Sequence, residues 1–486
     1  MHTKRSLAVL LLASMMLSAC GQTETVKDTA ETTGTAAAET ETETVDPIAG
    51  RTLQDEVPAL DFGGAEFRSI VQESTPYDIY VAESTGDTLN DVIFNRNEAI
   101  QERFNVKIAE AVAKAHGQIA SEVKSVVTAG DDAYDLVLGQ MEESGKNALE
   151  GYFRNWYDIP YVNFENPWYP KSLMQDGIAA VNGKMFVAMS DLCISYAEQT
   201  WAIAYDKVEA ENYGITDVYE TVREGKWTID KLMEWTEDIY TDVNNDGNKD
   251  EGDFYGFMHA ATGCHLAAYL YGFDQRSVDI KDGTPVMILN TEKTVSIFEK
   301  LYKLNQNPGT LNMASSGSKV RELFPAGRSV FATMQMHHCY NYMRDFENPY
   351  GIIPFPKWDE AQAEYYSIVD AGCNIIAVLM TAQNTDMIGA LVEALSAESW
   401  RSVMPTYCDI TLGAKVARDE ESSEMINMVL ENRFIDFAYL YDGWSGWTFK
   451  LDGFLKTEGA FASTYEKQAK AAQTYYDKVI NFFYED

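Results

Sequence analysis

Positive charge is what this chain has least of. Its 486 residues carry 38 Lys and Arg against 75 Asp and Glu, a formal net charge of −37. Such a body repels nucleic acid and anionic lipid, which removes both as partners. It also argues weakly against anionic ligands, although a local basic pocket overrules that. Cysteine is scarce as well. Beyond Cys20 there are five, Cys193, Cys264, Cys339, Cys373 and Cys408, an odd number at long irregular spacing. This is no disulfide framework; free thiols fit better, with a single bridge left open. After the first twenty residues no apolar run reaches the length of a membrane span. There is no HExxH, no GxSxG and no phosphate-binding glycine loop, and no internal repeat. The motif-borne routes to metalloprotease, serine-hydrolase and nucleotide chemistry are therefore closed.

What is present begins with a leader. Lys4 and Arg5 precede an apolar run from Leu7 to Leu17, too short to span a bilayer as a mature helix. The run ends in Leu17-Ser18-Ala19-Cys20, which resembles the lipobox of bacterial lipoproteins. That resemblance implies a signal peptide over 1–19 and a lipid carried on Cys20, the single attachment to the membrane. "TETVKDTAETTGTAAAETETETVD" follows, almost entirely Thr, Glu and Ala. Such a stretch buries too little to offset its chain entropy, so 20–57 is expected to be a disordered, charge-extended tether.

Over 400 residues remain, too many for one hydrophobic core, and 46% of the chain is hydrophobic and 12% aromatic. Two lobes are expected. "AEFRSIVQ" (65–72), "NVKI" and "YDLVLGQ" (134–140) read as strands, separated by helices through Leu89, Val92, Ile93, Ile100 and Phe104 and near 117–128. This alternation predicts parallel strands with helices on both faces and a ligand crevice beyond their carboxyl ends, where Gln72, Glu73, Gln140 and Glu142 fall. "AAVNGKMFVA" (179–188) predicts a hairpin turning at Asn182-Gly183. "TWAIAYDK" (200–207) predicts a strand, Thr228 an N-cap, and the end from about Phe461 a helical tail.

"DVNNDGNKDEGD" (242–253) has the ligand rhythm of an EF-hand loop: Asp242, Asn244, Asp246, Asn248, Asp250 and Asp253, with Gly247 at the sixth place. A sensor or a dockerin needs paired copies, and only one is present. Lys249 also stands where paired loops carry an apolar bridge. The expectation is a structural calcium ion, and the alternative is an ion-free polar turn.

"GDTLNDVIFNRNEAIQERFNV", "YGITDVYETVREGKWTIDKL", "YGIIPFPKWDEAQAEYYS" and "TLGAKVARDEESSEM" resemble segments of extracellular solute-binding proteins, the capturing lipoproteins of ABC importers. The nearest in character is family 1, the sugar-binding branch related to maltose-binding protein, and the resemblance runs from about residue 60 to the end. It implies an α/β, periplasmic-binding-protein-like (type II) fold, two lobes joined by hinge crossings near Glu198-Gln199, near Ser367–Val369 and after about residue 420. Lobe 1 is then 58–197 with 368–420, and lobe 2 is 198–367 with 421–486. It further implies a monomer that is not an enzyme, anchored outside the cell membrane of a Gram-positive bacterium. Such a protein captures a carbohydrate, an oligosaccharide by this resemblance, and delivers it to the permease. The alternatives are a surface-anchored carbohydrate-active enzyme or a glycan-binding adhesin.

Sugars are held by aromatic faces and by side chains that take hydroxyls in pairs. "YDGWSGWTF" (441–449) offers Trp444 or Trp447, against ordinary core packing. By the resemblance Glu198 matches an acidic contact at the first crossing, with Asp191 nearby, and Asp370 and Asn374 in "VDAGCN" lie at the second. "MQMHHCY" (334–340) reads as a strand, whose adjacent side chains face opposite ways, so His337, His338 and Cys339 do not form a zinc site. His337 or Gln335 lining the cleft is the preferred reading there. Gly139-Gln140 stands where the relatives carry a first-lobe aromatic, which opens the size and class of the ligand.

Overall fold

The first βαβ alternation forms as predicted, with one break. In this computed structural model, which describes residues 51–178, 180–314, 316–408 and 420–485, "AEFRSIVQ" is two strands. Ala65–Phe67 pairs in parallel with Val106–Ile108, whereas Ser69–Gln72 enters a different sheet. The cause is Arg68. Its backbone N–H donates to Asp135 Oδ2 at 2.8 Å and its Nη2 to Asp135 Oδ1 at 2.8 Å, so the amide is withdrawn from strand pairing. The helix Thr88–Phe104 starts where Asp87 Oδ1 accepts from the Leu89 and Asn90 amides and stops at Asn105, which takes the left-handed conformation.

The first sheet runs Asn374–Ala377, Leu136–Gln140, Ser69–Gln72, Val112–Lys114, parallel except for the antiparallel Asn374–Ala377. A second, six-stranded sheet runs Thr310–Asn312, Phe254–His259, Ser329–Gln335, Trp201–Asp206, Tyr350–Ile353, with Tyr240–Thr241 alongside Phe254–His259. Trp201–Asp206 is antiparallel to both its neighbours and buried along its whole length. Helices cover both sheets, including Ile229–Thr236, capped by Thr228 Oγ1 on the Lys231 amide at 3.2 Å.

Three segments carry the chain between the sheets, and they lie side by side. Thr200 bridges Val369, Asp370 N–H donates to Gln199 C=O at 2.9 Å, and Ser367–Ile368 pairs in parallel with Arg433–Phe434. The resemblance puts crossings near 198–199, near 367–369 and after about 420, and the contacts seen here involve 199–200, 367–370 and 433–434. The tail Ala460–Tyr484 touches both halves: Phe461 stacks on Phe298 of the second, and Phe483 packs on Phe186 of the first.

Two local expectations need correction. The 179–188 hairpin reduces to one bridge, Val181 to Lys184, around Asn182 and Gly183 at φ +51° and +70°; Ala188 pairs instead with Ile376. "MQMHHCY" is not one strand: Ser329–Gln335 ends and the helix Met336–Tyr342 begins at once. Cys193, Cys264, Cys339 and Cys373 are free thiols. No described helix is long and apolar enough to cross a membrane. The leader, Cys20 and the tether up to Gly50 lie outside the described residues.

Candidate ligand-binding site

Next to the crossings lies a cavity of about 330 Å³. Its walls come from both sides of the crossings: Trp201 at the start of its strand, Asp370 just after the second crossing, Gln335 at a strand end, and His265, Arg321 and His338. A larger recess of about 450 Å³ surrounds Tyr219 and Arg223 and contains no crossing residue, and one of about 370 Å³ contains Arg433 of the third crossing.

Each wall residue is fixed by its backbone. The switch from strand to helix at Gln335 turns its amide inward, where it donates to His338 Nδ1 at 3.2 Å. Met336 N–H holds the turn to Thr200 C=O at 3.0 Å. His265 stands in the first turn of the helix Gly263–Gly272, its ring 4.4 Å from that of Trp201. Trp201 Nε1 donates to Asp370 Oδ2 at 3.0 Å, and the Gly372 amide donates to Oδ1 at 2.9 Å. Burial pushes the Asp370 carboxyl up, opposed by donors from Gly372, Trp201, Cys264 and Gln335. Burial also pushes His265 down to about 4 and His338 down to about 2, so both rings are neutral at pH 7.

Glu198 and His337 are not among this cavity's walls and are tied to each other. Tyr77 O–H donates to Glu198 Oε2 at 2.6 Å, and His337 Nδ1 donates to Glu198 C=O at 3.0 Å. Burial, with Asp78 adding to it, raises the Glu198 carboxyl to about 8, so it is mostly protonated at neutral pH.

Several sequence candidates sit elsewhere, for physical reasons. Asn374 is fully buried within the floor of the crossings. It accepts from Gln72 Nε2 at 2.6 Å and donates to Thr75 Oγ1 at 2.8 Å and Asp78 Oδ2 at 2.7 Å, leaving nothing for a ligand. Trp447 is a core residue, 2% exposed and packed on Phe454 and Tyr465. Asp191 is buried, accepts from Tyr196 O–H and lines a separate recess with Arg51, Trp400 and Arg433. Glu142 pairs with Lys146 at 2.5 Å, Gln140 lies opposite Asn374 in register, and Glu73 is exposed beyond its strand. The Trp444 side chain lies outside the described residues.

Gln335 and Asp370 are thus brought together in the cavity walls, and Glu198 and His337 are not. Trp201, His265 and Arg321 were missed. Trp201 carried a signal, an aromatic residue two places after the crossing at Gln199. Arg321 carried none, because a single Arg in "KVRELF" resembles any solvated helix residue.

The loop 242–253 has calcium-type donors, and one atom fits the role closely. Asp242 Oδ2 accepts from the Gly247 amide at 3.0 Å, while its Oδ1 is buried with no partner. Gly247 adopts φ +75°, as a sharp sixth-position turn requires. The remaining donors are engaged internally: Asp253 accepts from Tyr240 O–H and the Val243 amide, and Asp246 from Asn244 and the Asn248 amide. No three His, Cys, Asp or Glu side chains converge at metal-holding distance among the described residues.

Comparison with solved structures identifies the architecture. The chain has the two-lobed type II fold of the solute-binding proteins. One similar structure is the GacH receptor of Streptomyces glaucescens, solved without ligand and with acarbose, at 14% identity, TM-score 0.53, over 84% of this chain and 99% of that one. Another is the galacto-N-biose/lacto-N-biose I-binding protein of an ABC transporter from Bifidobacterium longum, with lacto-N-biose, at 12% identity, TM-score 0.56, over 87% and 98%. A third is an ABC substrate-binding protein from Listeria monocytogenes with cycloalternan, at 14% identity, TM-score 0.53, over 87% and 100%. No protein-family model and no curated protein matches the chain.

Proposed function

We propose that this chain is the substrate-binding protein of an ABC importer, capturing a carbohydrate in the cavity beside its crossings and presenting it to the membrane permease. The observation that carries this reading is the placement of that cavity. Its walls draw on Trp201, Asp370 and Gln335 around three adjacent crossings, so a ligand there contacts the parts that move. The structural neighbours bound to acarbose, lacto-N-biose and cycloalternan support a sugar as the cargo. We read the chain as a binder rather than a hydrolase, because the cavity wall carries one carboxylate, Asp370, where glycoside hydrolysis takes a pair. The leader and Cys20 support an extracytoplasmic, lipid-anchored protein held off the membrane by its tether.

The test is a thermal-shift screen against mono- and oligosaccharides, followed by small-angle scattering on each hit. A ligand at about 100 times its Kd adds roughly 2.7 kcal/mol, a rise of a few degrees for a body of this size. A true cargo raises the melting temperature and shrinks the radius of gyration; a panel with neither effect refutes the glycan assignment.

We also propose that the 242–253 loop binds calcium, with Asp242 Oδ1 as the first ligand. Bound calcium supplies the charge that reorganises Asp246 and Asp253 from their internal hydrogen bonds. Terbium luminescence sensitised by Tyr240 or Tyr255, displaced by calcium and abolished in Asp242→Ala, is the expected result. Identical melting in calcium and in chelator, with no terbium signal, refutes it.

A further inference from the structure

We propose that the cavity contains an anion subsite, which holds a negatively charged substituent of the glycan, a uronic acid carboxylate or a sulfate ester, between Arg321, His338 and the first turn of Gly263–Gly272. This rests on the carbohydrate-binding reading above and narrows it to acidic sugars.

The argument starts from a contact that does not work as a hydrogen bond. Arg321 Nη1 lies 3.3 Å from His338 Nε2. A guanidinium has only donors, so the ring nitrogen would have to accept. Yet the Gln335 amide already donates to His338 Nδ1 at 3.2 Å, and burial keeps the ring neutral. A neutral imidazole has one acceptor nitrogen, so its proton sits on Nε2. The two groups therefore aim donors at each other, and His338 is only 7% exposed. An oxygen bearing negative charge, placed near both, satisfies both.

Other donors in the same cavity also lack acceptors. Arg321 Nε is buried with no partner, and Arg321 makes no ion pair among the described residues. Arg68, Arg103, Arg223 and Arg401 pair with carboxylates, whereas the Arg321 guanidinium lies 5.3 Å from the Tyr342 ring. Thr262 precedes the helix without a side-chain cap, and the Gly263 and Cys264 amides that follow have no acceptor among the described residues. The positive end of that ten-residue helix adds to the same field.

The nearby acid does not pair with Arg321: the Asp370 oxygens accept from Trp201 Nε1 and the Gly372 amide, and no hydrogen bond or ion pair joins Asp370 to Arg321 among the described residues. Glu198, which is raised to about 8, is mostly protonated. A sugar hydroxyl supplies one acceptor but brings its own donor. A carboxylate or sulfate brings acceptors alone and gives charge-assisted bonds to the guanidinium. The chain's overall negative charge slows the approach of such a ligand but is screened beyond about 8 Å at physiological salt.

The experiment equilibrates the full mature protein with an equimolar pool of oligosaccharides and identifies what it retains by native mass spectrometry. The pool combines acidic fragments of pectin, alginate and carrageenan with neutral fragments of starch, galactan and xylan. The expected result is selective retention of acid-bearing species, whose mass separates carboxylate from sulfate. Calorimetry then gives the retained glycan an affinity roughly ten- to a hundredfold above its neutral counterpart. In Arg321→Gln that preference is lost, and in the wild type it narrows with added NaCl. Retention of neutral species alone overturns the anion subsite and leaves the transport reading standing. Retention of nothing overturns both, and a preference that survives in Arg321→Gln removes Arg321 from the role. If Arg321→Gln fails to fold, the wild-type comparison of charged with neutral glycans still decides.

Discussion

Asn374→Ala is predicted to loosen the floor of the crossings without touching the ligand. The side chain is fully buried and makes three hydrogen bonds, to Gln72, Thr75 and Asp78. Gln72 keeps a second acceptor, Gly372 C=O, at 2.9 Å, and Asp78 keeps its bonds from Ser195. The two neutral bonds are then worth about 1 kcal/mol each and the bond to a carboxylate about 2, a total near 4 kcal/mol. With an unfolding entropy of roughly 0.9 kcal/mol per degree for a body of over 400 residues, the melting temperature falls by about 4–5 °C. Asn374→Asp is worse at neutral pH, since it sets a second carboxyl beside Asp78, and it recovers as the pH falls and the pair shares a proton. Differential scanning calorimetry at pH 7.5 and pH 5 measures both variants, with glycan affinity measured in parallel. Melting within about 1 °C of wild type, together with lost affinity, would show that Asn374 is a ligand contact and that the reasoning is wrong.

Glu198 has a folded-state pKa of about 8 against an ordinary 4.5. A raised carboxyl stabilises the fold in its protonated form, fully below about 4.5, and that contribution is lost as the pH climbs through 8. Glu198→Gln is therefore expected to melt above wild type at pH 8.5 but not at pH 5, and parallel melting curves across that range would contradict it. Trp447→Ala should cost about 3–5 kcal/mol of stability by opening a cavity against Phe454 and Tyr465. The folded fraction should keep its glycan affinity, and a selective loss of binding would return Trp447 to the site.

The parts of the fold that were legible in the chain are those with local causes. Thr228 announces its helix because its side chain caps its own first turn, and the helix Thr88–Phe104 shows in the spacing of Ile93, Ile100 and Phe104, which are buried. Trp201–Asp206 reads as a strand because an unbroken apolar stretch there is buried throughout. Val112–Lys114 escaped notice because it is three residues long and shows no alternation of exposure. The turn from strand to helix at Gln335 escaped as well. No Gly or Pro marks it, and what holds it is Thr200, more than a hundred residues away. The site divides the same way. Asp370 and Gln335 were reachable through their position relative to a crossing, whereas Trp447 shows that aromatic residues among glycines do not reveal which way they point. Arg321 is defined by what is missing around it, and an unmet donor has no signature in a one-dimensional chain.

The three crossings carry a mechanical consequence. Thr200 is tied to Val369, and Ser367–Ile368 to Arg433–Phe434, so the connectors form a narrow ribbon rather than three independent tethers. A ribbon of this kind bends readily about one line across its width and resists shear and rotation in its own plane. Under the proposed function, ligand capture is then geared to a single angle between the halves. A receiver that grips both halves reads that angle as one bit, open or shut, and needs no contact with the cargo to know that the carrier is loaded.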